Sequence, residues 1–350
     1  MRGGEKVVEA LCEMFPEADI FTHVFDPGSV SETIKGHRIT TTFIGRLPRA
    51  RRWYQRYLPL MPLALEQLDL REYDLVISSE SGPAKGVVVS PDAVHICYCH
   101  TPMRYLWDMY HEYLGSAGRM TRMLMRPLTH YLRIWDVTTA ARVDRFVTNS
   151  AYVGSRVEKF YRRESCVVAP PVDTAAFRPS AERDDYYLFV GQMVRYKRAD
   201  LAVEAFSGTS RRLVVIGDGE QYGRIKRMAG SNVELLGWQS ADALAEHYAR
   251  CRALIFPGLE DFGIVPVEAM AAGRPVLAYG RGGALETVVD TKTGLFFEEQ
   301  SPEALRECVE RFEQLEGQFS AEAIVEHARR FDKSVFKDRM RRVIAEALQR

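Results

Sequence analysis

Runs of β-forming residues alternate with longer segments of helical period, and this alternation constrains the fold more than any other feature of the sequence. Three β-rich runs lie in the first half, DLVISS, VHICYCH and RFVTNS, and six in the second, YYLFVG, RLVVIG, NVELLG, RALIFPG, PVLAYG and TGLFF. A helix candidate follows each run, for example ADLAVEAF or SADALAEHYARC. Because parallel strands need a crossover connection, usually a helix, we predict an α/β fold with parallel sheets.

A stretch without periodicity, VVAPPVDTAAFRPSAERDD, separates the two sets of strands. Its prolines and charged run are typical of a linker, which we place near residues 170–184. With 350 residues the chain is long enough for two domains. We therefore predict two facing Rossmann-like domains, over residues 1–170 and 171–330, and a C-terminal helix over 331–350 that packs back toward the first domain.

Composition narrows the class of protein. The 47 basic and 47 acidic residues give a formal net charge of zero, which argues against a dedicated nucleic-acid binder. The six cysteines form no C-x-x-C pair, and we expect them to be reduced thiols. No apolar run approaches the length of a membrane span, and the start MRGGEKVVEA lacks the apolar core of a signal peptide. We therefore expect a cytoplasmic protein.

The segment EDFGIVPVEAM, residues 260–270, holds two glutamates apart by a loop. Pro266 suits the first turn of a helix that follows the strand RALIFPG. Glu260 is then predicted at the carboxyl end of that strand, and Glu268 in the first turn of the helix. Parallel sheets bind ligands at this edge, and free helix amides suit a phosphate. The alternative is that Glu268 only caps its helix and that Glu260 lies in a solvated loop.

A second polar segment, VGQMVRYKRAD, follows the first strand of the second half and would face the same crevice. A lysine there neutralises a diphosphate without a metal ion. The alternative is a solvated basic loop. Because the chain contains no Asp-x-Asp motif, we expect no metal or other cofactor. The candidate ligand-binding residues of this segment are Gln192, Arg195, Lys197 and Arg198.

Three segments together resemble the retaining glycosyltransferases of family 4, which have the GT-B fold: EDFGIVPVEAMAAGRPVLAYGRGGALETV, VGQMVRYKRADLAVEAF and CYCHTPMRYLWDMY. The resemblance is closest to bacterial mannosyltransferases of O-antigen and exopolysaccharide assembly. It implies a nucleotide-sugar donor, GDP-mannose, bound mainly by the C-terminal domain. It also implies a saccharide or polyprenyl-diphosphate-linked acceptor bound mainly by the N-terminal domain, with catalysis in the cleft.

The resemblance implies roles for individual residues of the C-terminal domain. Glu260 would hold the transferred sugar, Glu268 would accept the ribose hydroxyls, and Lys197 would be the diphosphate cation. A fixed cation lowers the barrier because negative charge develops on the leaving diphosphate. The sugar and the β-phosphate would also meet backbone groups of Phe262, Gly263 and Ile264. Many family members carry arginine where this chain has Gln192, so we expect Arg195 or Arg198 to compensate.

In the N-terminal domain, the resemblance places His100 of CHTP near the sugar or the acceptor, where it orients groups rather than acts as the base. The alternative is a buried histidine at a strand end. Gly3 and Gly4 match the glycine-rich loop that lies against the diphosphate. Because a first strand usually precedes that loop, we expect one to be missing ahead of Met1.

From Thr33 to Leu65 the chain carries seven basic residues, no acidic ones, and interleaved aromatic residues. Such a surface suits anionic lipid headgroups or a lipid diphosphate, and a solvated basic face is the alternative. The segment GRMTRMLMRPLTHYLRIW repeats the pattern with Arg119, Arg122, Arg126 and Arg133. The predicted membrane and acceptor surface comprises Arg49, Arg51, Arg52, Trp53 and Arg56.

The sequence thus predicts a retaining, metal-independent hexosyltransferase of surface polysaccharide synthesis, peripheral on the inner face of the cell membrane. Two alternatives stay open. A nucleotide-sugar epimerase of the same architecture would bind the donor and need no acceptor. A truncated paralogue would bind a nucleotide sugar without turnover, with Gln192 and the missing strand as its support.

Overall fold

The structure, a computed structural model, describes residues 3–116 and 118–349. The chain forms two compact units. The first unit runs to Pro170 and takes up the chain again from Phe336, and the second covers Pro171–Val335. The division falls at the paired prolines of the predicted linker.

The first unit contains a four-stranded parallel sheet in the order β3-β4-β5-β6 and a separate parallel pair, β1-β2. The strands are β1 (Ile20–Thr22), β2 (Ile39–Thr41), β3 (Leu75–Glu80), β4 (Val94–Cys99), β5 (Arg145–Thr148) and β6 (Ser165–Val167). The helices are α1 (Gly3–Met14), α2 (Glu32–Lys35), α3 (Ala50–Trp53), α4 (Met61–Glu66), α5 (Tyr110–Ser116), α6 (Arg119–Ala140) and α7 (Ala151–Tyr161).

Helices cover both faces of this sheet, because successive strand residues point to opposite sides. Ile96 and Tyr98 of β4 pack in one core cluster with residues of α1 and of the last helix of the chain, whose Phe336 lies in the same cluster. Cys97 and Cys99 of the same strand pack in another cluster with residues of α7. The run VHICYC is buried along nearly its whole length for this reason.

The second unit contains a six-stranded parallel sheet in the order β12-β11-β10-β7-β8-β9. Its strands are β7 (Tyr187–Val190), β8 (Leu213–Ile216), β9 (Val233–Gly237), β10 (Leu254–Phe256), β11 (Val276–Tyr279) and β12 (Gly294–Phe297). Its helices are α8 (Ala199–Phe206), α9 (Tyr222–Met228), α10 (Ala241–Arg250), α11 (Ile264–Ala271), α12 (Ala284–Thr287), α13 (Pro302–Leu315) and α14 (Ala321–Ala328). The last helix, α15 (Lys333–Leu348), extends into the first unit.

The strand order of the second unit creates a switch point. The chain runs outward from β7 through β8 to β9 and then returns to place β10 on the other side of β7. The loops that follow β7 and β10 therefore leave in opposite directions, and open α/β sheets bind ligands in the crevice that results.

The predicted α/β architecture with parallel sheets is confirmed, and each of the nine predicted strands is present. Three strands of three residues each, β1, β2 and β6, were missed, whereas β10, which is equally short, was predicted from its apolar run RALIFPG. Gly3 and Gly4 begin α1, so the prediction that they lie in a loop is wrong. Met1 and Arg2 lie outside the described residues.

Candidate functional site

One candidate site lies at the switch point of the second unit. Lys197 ends a short 3-10 helix after β7, and Glu260 lies in the loop after β10. The Nζ atom of Lys197 donates a hydrogen bond of 2.9 Å to Oε1 of Glu260. The side chains are 15% and 18% exposed. Burial alone would lower the pKa of Lys197, but the neighbouring Glu260 carboxylate outweighs it and the pKa is raised, so the lysine is a fixed cation.

Close backbone packing holds Lys197 in position. Gly217, at φ 135°, lies so near the loop after β7 that a Cβ atom there would come within 2.0 Å of the Gly191 carbonyl oxygen. A Cβ atom on Gly258 would lie 2.9 Å from Cα of Lys197. The loops after β7, β8 and β10 therefore stack backbone against backbone, which only glycine allows at these positions.

Glu268 is the fifth residue of α11, so its predicted place in the first helical turn is wrong. The helix begins at Ile264, two residues before Pro266, because proline fits any position of a first turn whose amides lack intrahelical partners. Glu268 is 7% exposed, and its Oε2 accepts a hydrogen bond of 3.0 Å from the Tyr248 hydroxyl of α10. A carboxylate in this position does not cap the N-terminus of the helix.

The loop that connects β10 to α11 packs closely against the backbone of Gly283. Gly263 is the residue before α11, at φ 95°, and no side chain caps the first turn. A Cβ atom on Gly283 would lie 2.3 Å from Cα of Phe262, and the Gly283 amide donates to the Glu260 carbonyl at 2.9 Å. Phe262, Gly263 and Ile264 thus form a rigid entry to the helix, as phosphate contacts require.

Two other residues predicted to bind the donor, Arg195 and Arg198, line a cavity of this unit. The cavity has a volume of about 300 Å³ and is also lined by residues of α8 and α9. The Nε atom of Arg198 donates to Oδ1 of Asp200 at 3.2 Å, which neutralises its charge locally. Gln192 is exposed. The structure therefore brings Lys197 into contact with Glu260. That Arg195 or Arg198 compensates for the missing arginine at Gln192 stays a prediction.

A separate candidate site surrounds His100 in the first unit. The half-buried ring lies at the end of β4, with Nε2 2.8 Å from Oγ of Ser79, and Asn149 donates to the His100 carbonyl at 3.0 Å. Burial lowers the pKa of His100 to about 4, so the ring is neutral at pH 7. A Cβ atom on Gly4 would lie 3.6 Å from Nε2, which places the start of α1 beside this ring.

Sequence reasoning missed several residues of the candidate sites. Ser79 is the last residue of the predicted run DLVISS and Asn149 the last but one of RFVTNS, at the edge where ligands bind, and that position was the available signal. Trp238 directly follows β9, at the same edge of its sheet as Lys197, and is 79% exposed. An aromatic residue with so much exposed surface at a ligand-binding edge is a candidate for stacking on a flat ligand.

The predicted basic surface of the first unit is exposed, with one correction. The guanidinium groups of Arg49 and Arg56 each lie 4.8 Å from the centre of the Trp53 ring. Arg51 lies 3.9 Å from a carboxylate oxygen of Asp26, so the expectation that no carboxylate opposes this stretch is wrong at that residue. In α6, Arg122 and Arg133 donate to backbone carbonyls, whereas Arg119 and Arg126 are exposed.

Two sequence families match the chain. The pattern described as Glycosyltransferase Family 4 matches residues 1–176, and that described as Glycosyl transferases group 1 matches residues 173–334. An uncharacterized glycosyltransferase of Methanocaldococcus jannaschii is 30% identical over 47% of this chain and 48% of its own length. A GDP-mannose-dependent alpha-(1-6)-phosphatidylinositol monomannoside mannosyltransferase of Mycobacterium tuberculosis is 31% identical over 46% of this chain and 50% of its own. The chain spans about half the length of these relatives.

Solved structures share the fold over nearly the whole chain. Sucrose-phosphate synthase from Thermosynechococcus elongatus superimposes with a TM-score of 0.71 at 18% identity, covering 97% of this chain and 91% of its own. Anabaena HepE, in complex with UDP and glucose, superimposes with a TM-score of 0.69 at 15% identity, covering 99% and 96%.

Proposed function

The chain belongs to glycosyltransferase family 4 and has the GT-B fold, and on that basis we propose that it transfers mannose from GDP-mannose to a lipid-linked saccharide with retention of anomeric configuration. The observation that carries the proposal is the buried pair of Lys197 and Glu260 at the β7–β10 switch point. A fixed cation and a carboxylate at this edge of the sheet are suited to a nucleotide diphosphate and its sugar, which supports the proposal.

The chemistry of donor cleavage matches these groups. Breaking the glycosyl phosphate bond develops negative charge on the leaving diphosphate, which the ammonium group of Lys197 and the first amides of α11 stabilise. Glu260 holds Lys197 in place and offers its second oxygen to the sugar hydroxyls. Glu268 accepts from the ribose hydroxyls. With these charges in place the proposed reaction needs no divalent metal.

Retention follows if the acceptor attacks on the face from which the diphosphate departs. The leaving phosphate oxygen then accepts the proton of the acceptor hydroxyl, and the new glycosidic bond forms as the glycosyl phosphate bond breaks. His100 orients the sugar or the acceptor, because a ring with a pKa of about 4 is a weak base. Ser79 hydrogen-bonds to the ring of His100, and Asn149 donates a hydrogen bond to the His100 backbone carbonyl.

The choice of GDP-mannose rests on the relative from Mycobacterium tuberculosis, whose name states that donor. Thermal shift with GDP-mannose, other GDP-sugars and UDP-glucose tests it, because the ligand that binds the folded state most tightly raises the melting temperature most. A larger shift with UDP-glucose would overturn the donor assignment and leave the sugar transfer standing. The anomeric configuration of the product, read by NMR, tests retention. An isomerised sugar formed from donor alone would mean an epimerase instead.

The basic surface around Trp53 supports a lipid-linked acceptor. Arg46, Arg49, Arg52 and Arg56 are all exposed, and the stretch from Thr33 to Leu65 holds no acidic residue of its own. Each basic residue near an anionic membrane contributes about 1 kcal/mol, so a few of them give weak, reversible attachment. We place the enzyme in the cytoplasm, peripheral on the inner face of the cell membrane, where it would act in surface polysaccharide synthesis.

A further inference from the structure

Helix α6 of the first unit carries a strip of large apolar side chains that face solvent. Their spacing of three, four and seven residues places them on one face of the helix. Side chains of this size are rarely so exposed in a row, and a continuous apolar strip marks a surface that contacts something else. The strip, whose members are between 41% and 68% exposed, consists of Met120, Met123, Leu124, Tyr131, Ile134 and Val137.

The opposite face of α6 is fixed in the protein. Leu132 and Trp135 lie in a buried cluster with residues of α4. Asp136 is fully buried, accepts hydrogen bonds from Trp107 Nε1 at 2.8 Å and from the Tyr161 hydroxyl at 3.0 Å, and forms an ion pair with Lys85. Breaking a buried charge network of this kind is costly. The helix therefore cannot rotate about its axis to bury the exposed apolar strip.

The ionisable side chains that α6 exposes to solvent are all basic. Its single carboxylate is the buried Asp136, while Arg119, Arg126 and His130 are exposed and flank one side of the strip. The segment with the exposed arginines 49–56 lies nearby, since Leu58 packs in the same cluster as Leu128 and Leu132. Apolar side chains beside basic ones are the composition of helices that lie in the interface of anionic membranes. No helix within residues 3–116 and 118–349 is long and apolar enough to cross a bilayer.

We propose that the exposed strip of α6 inserts into the headgroup region of an anionic phospholipid bilayer, with the helix axis parallel to the membrane plane. The proposal deepens the membrane attachment given under the proposed function and rests on it. The strip supplies apolar burial, and the arginines supply the preference for anionic lipid. A second copy of the chain is a poorer occupant, because a two-fold contact would bring Arg119 and Arg126 of both copies together without an exposed carboxylate on the helix to pair them.

Cosedimentation of the full chain with phospholipid vesicles tests the proposal. Vesicles of phosphatidylcholine alone are compared with vesicles that contain about a third phosphatidylglycerol. The test variant replaces Leu124 and Ile134 by serine, which removes apolar area from the strip and leaves every charge in place. The matched control replaces Val167 and Leu348 by serine, since these side chains are also exposed in the first unit but lie outside α6. Melting temperature and donor binding are measured for all variants.

We expect the parent and the control to partition onto anionic vesicles and the Leu124→Ser, Ile134→Ser variant to lose on the order of tenfold or more in partition coefficient, because each buried methylene contributes to insertion. All three should melt and bind donor alike. Equal partition of the test variant and the control would overturn the role of α6. Dissociation of a dimer by the test variant, with vesicle binding unchanged, would assign the strip to a second copy. Neither result would contradict the proposed sugar transfer, because donor binding and turnover test that function separately.

Discussion

The Nζ atom of Lys197 lies 2.9 Å from Oε1 of Glu260 although 63 positions separate the two residues in the chain. Both are largely buried, and the carboxylate keeps the lysine charged despite that burial. The pair therefore holds the ammonium group of Lys197 in a fixed position at the switch point of the sheet.

Substitution of Lys197 by methionine should abolish most sugar transfer. Methionine keeps the length of the side chain and removes the charge that stabilises the leaving diphosphate, so kcat should fall on the order of a hundredfold or more. Lys197→Arg is the matched control, because it keeps the charge and changes its geometry, and it should retain more activity. Steady-state kinetics measures both. A methionine variant within about twofold of the parent would contradict the role of this lysine in leaving-group stabilisation.

Substitution of Glu268 by alanine should weaken nucleotide binding. Hydrogen bonds from two ribose hydroxyls to a charged acceptor contribute roughly 1.5 to 3 kcal/mol each, so affinity should fall at least about tenfold in calorimetry. Tyr248→Phe removes only the hydroxyl that donates to Glu268 and should cost about 1 kcal/mol or less of binding energy. If Glu268→Ala leaves nucleotide affinity unchanged while it lowers stability, Glu268 serves only the packing of α11 against α10.

Substitution of Trp238 by alanine should also weaken nucleotide binding, and Trp238→Phe should retain most of it. Stacking of a base on an aromatic ring is worth about 1 to 3 kcal/mol when measured by alanine substitution. Because the side chain is 79% exposed, its removal should leave the melting temperature of the free protein nearly unchanged. Equal affinities of the parent and the alanine variant for the intact nucleotide sugar would show that the ring does not contact the donor.

The neutral state of His100 predicts a dependence of stability on pH. Burial lowers its pKa to about 4 from an ordinary value of 6.5, so the unfolded state binds more protons between these two values. The stabilisation that the neutral ring gives to the folded state, measured as free energy of unfolding, is complete above pH 6.5 and is lost as the pH falls toward 4. His100→Asn should therefore flatten the fall in unfolding free energy across that window, by up to about 1.4 kcal/mol per pH unit. Urea titrations at several pH values measure it, with the exposed His111→Asn as control. An unchanged slope in His100→Asn would contradict the assignment.

Charge reversal around Trp53 should weaken membrane attachment without loss of donor hydrolysis. Arg49, Arg52 and Arg56 are exposed, and their replacement by glutamate should abolish the preference for anionic vesicles, an effect that added salt should mimic. The control reverses Arg329 and Arg341, which are exposed but each lie within 2.8 Å of a neighbouring carboxylate. Cosedimentation of the triple variant at low salt to the same extent as the parent would leave these arginines as a solvated face.

The sequence by itself determined the class of fold and the residues that could form a donor site. Strand–helix alternation follows from local burial, which periodicity reports directly, and nine of the strands are predicted for this reason. Lys197 and Glu260 were placed at the carboxyl ends of strands because each follows a run whose end the sequence marks with glycine or proline. The predicted position of Glu268 in the first turn was wrong, since a proline is allowed at more than one position of a first turn.

Tertiary structure decided which of these residues meet. Lys197 and Glu260 pair because the sheet places β10 beside β7, an order that no local pattern encodes. The arginines of α6 look alike in the sequence. In the structure, however, Arg122 and Arg133 donate hydrogen bonds to backbone carbonyls, whereas Arg119 and Arg126 are exposed to solvent. An amphipathic period shows that a helix has two faces, but only the packing of Leu132, Trp135 and Asp136 against their neighbours fixes which face is buried. The apolar strip of α6 is left exposed because the opposite face carries the buried charge network.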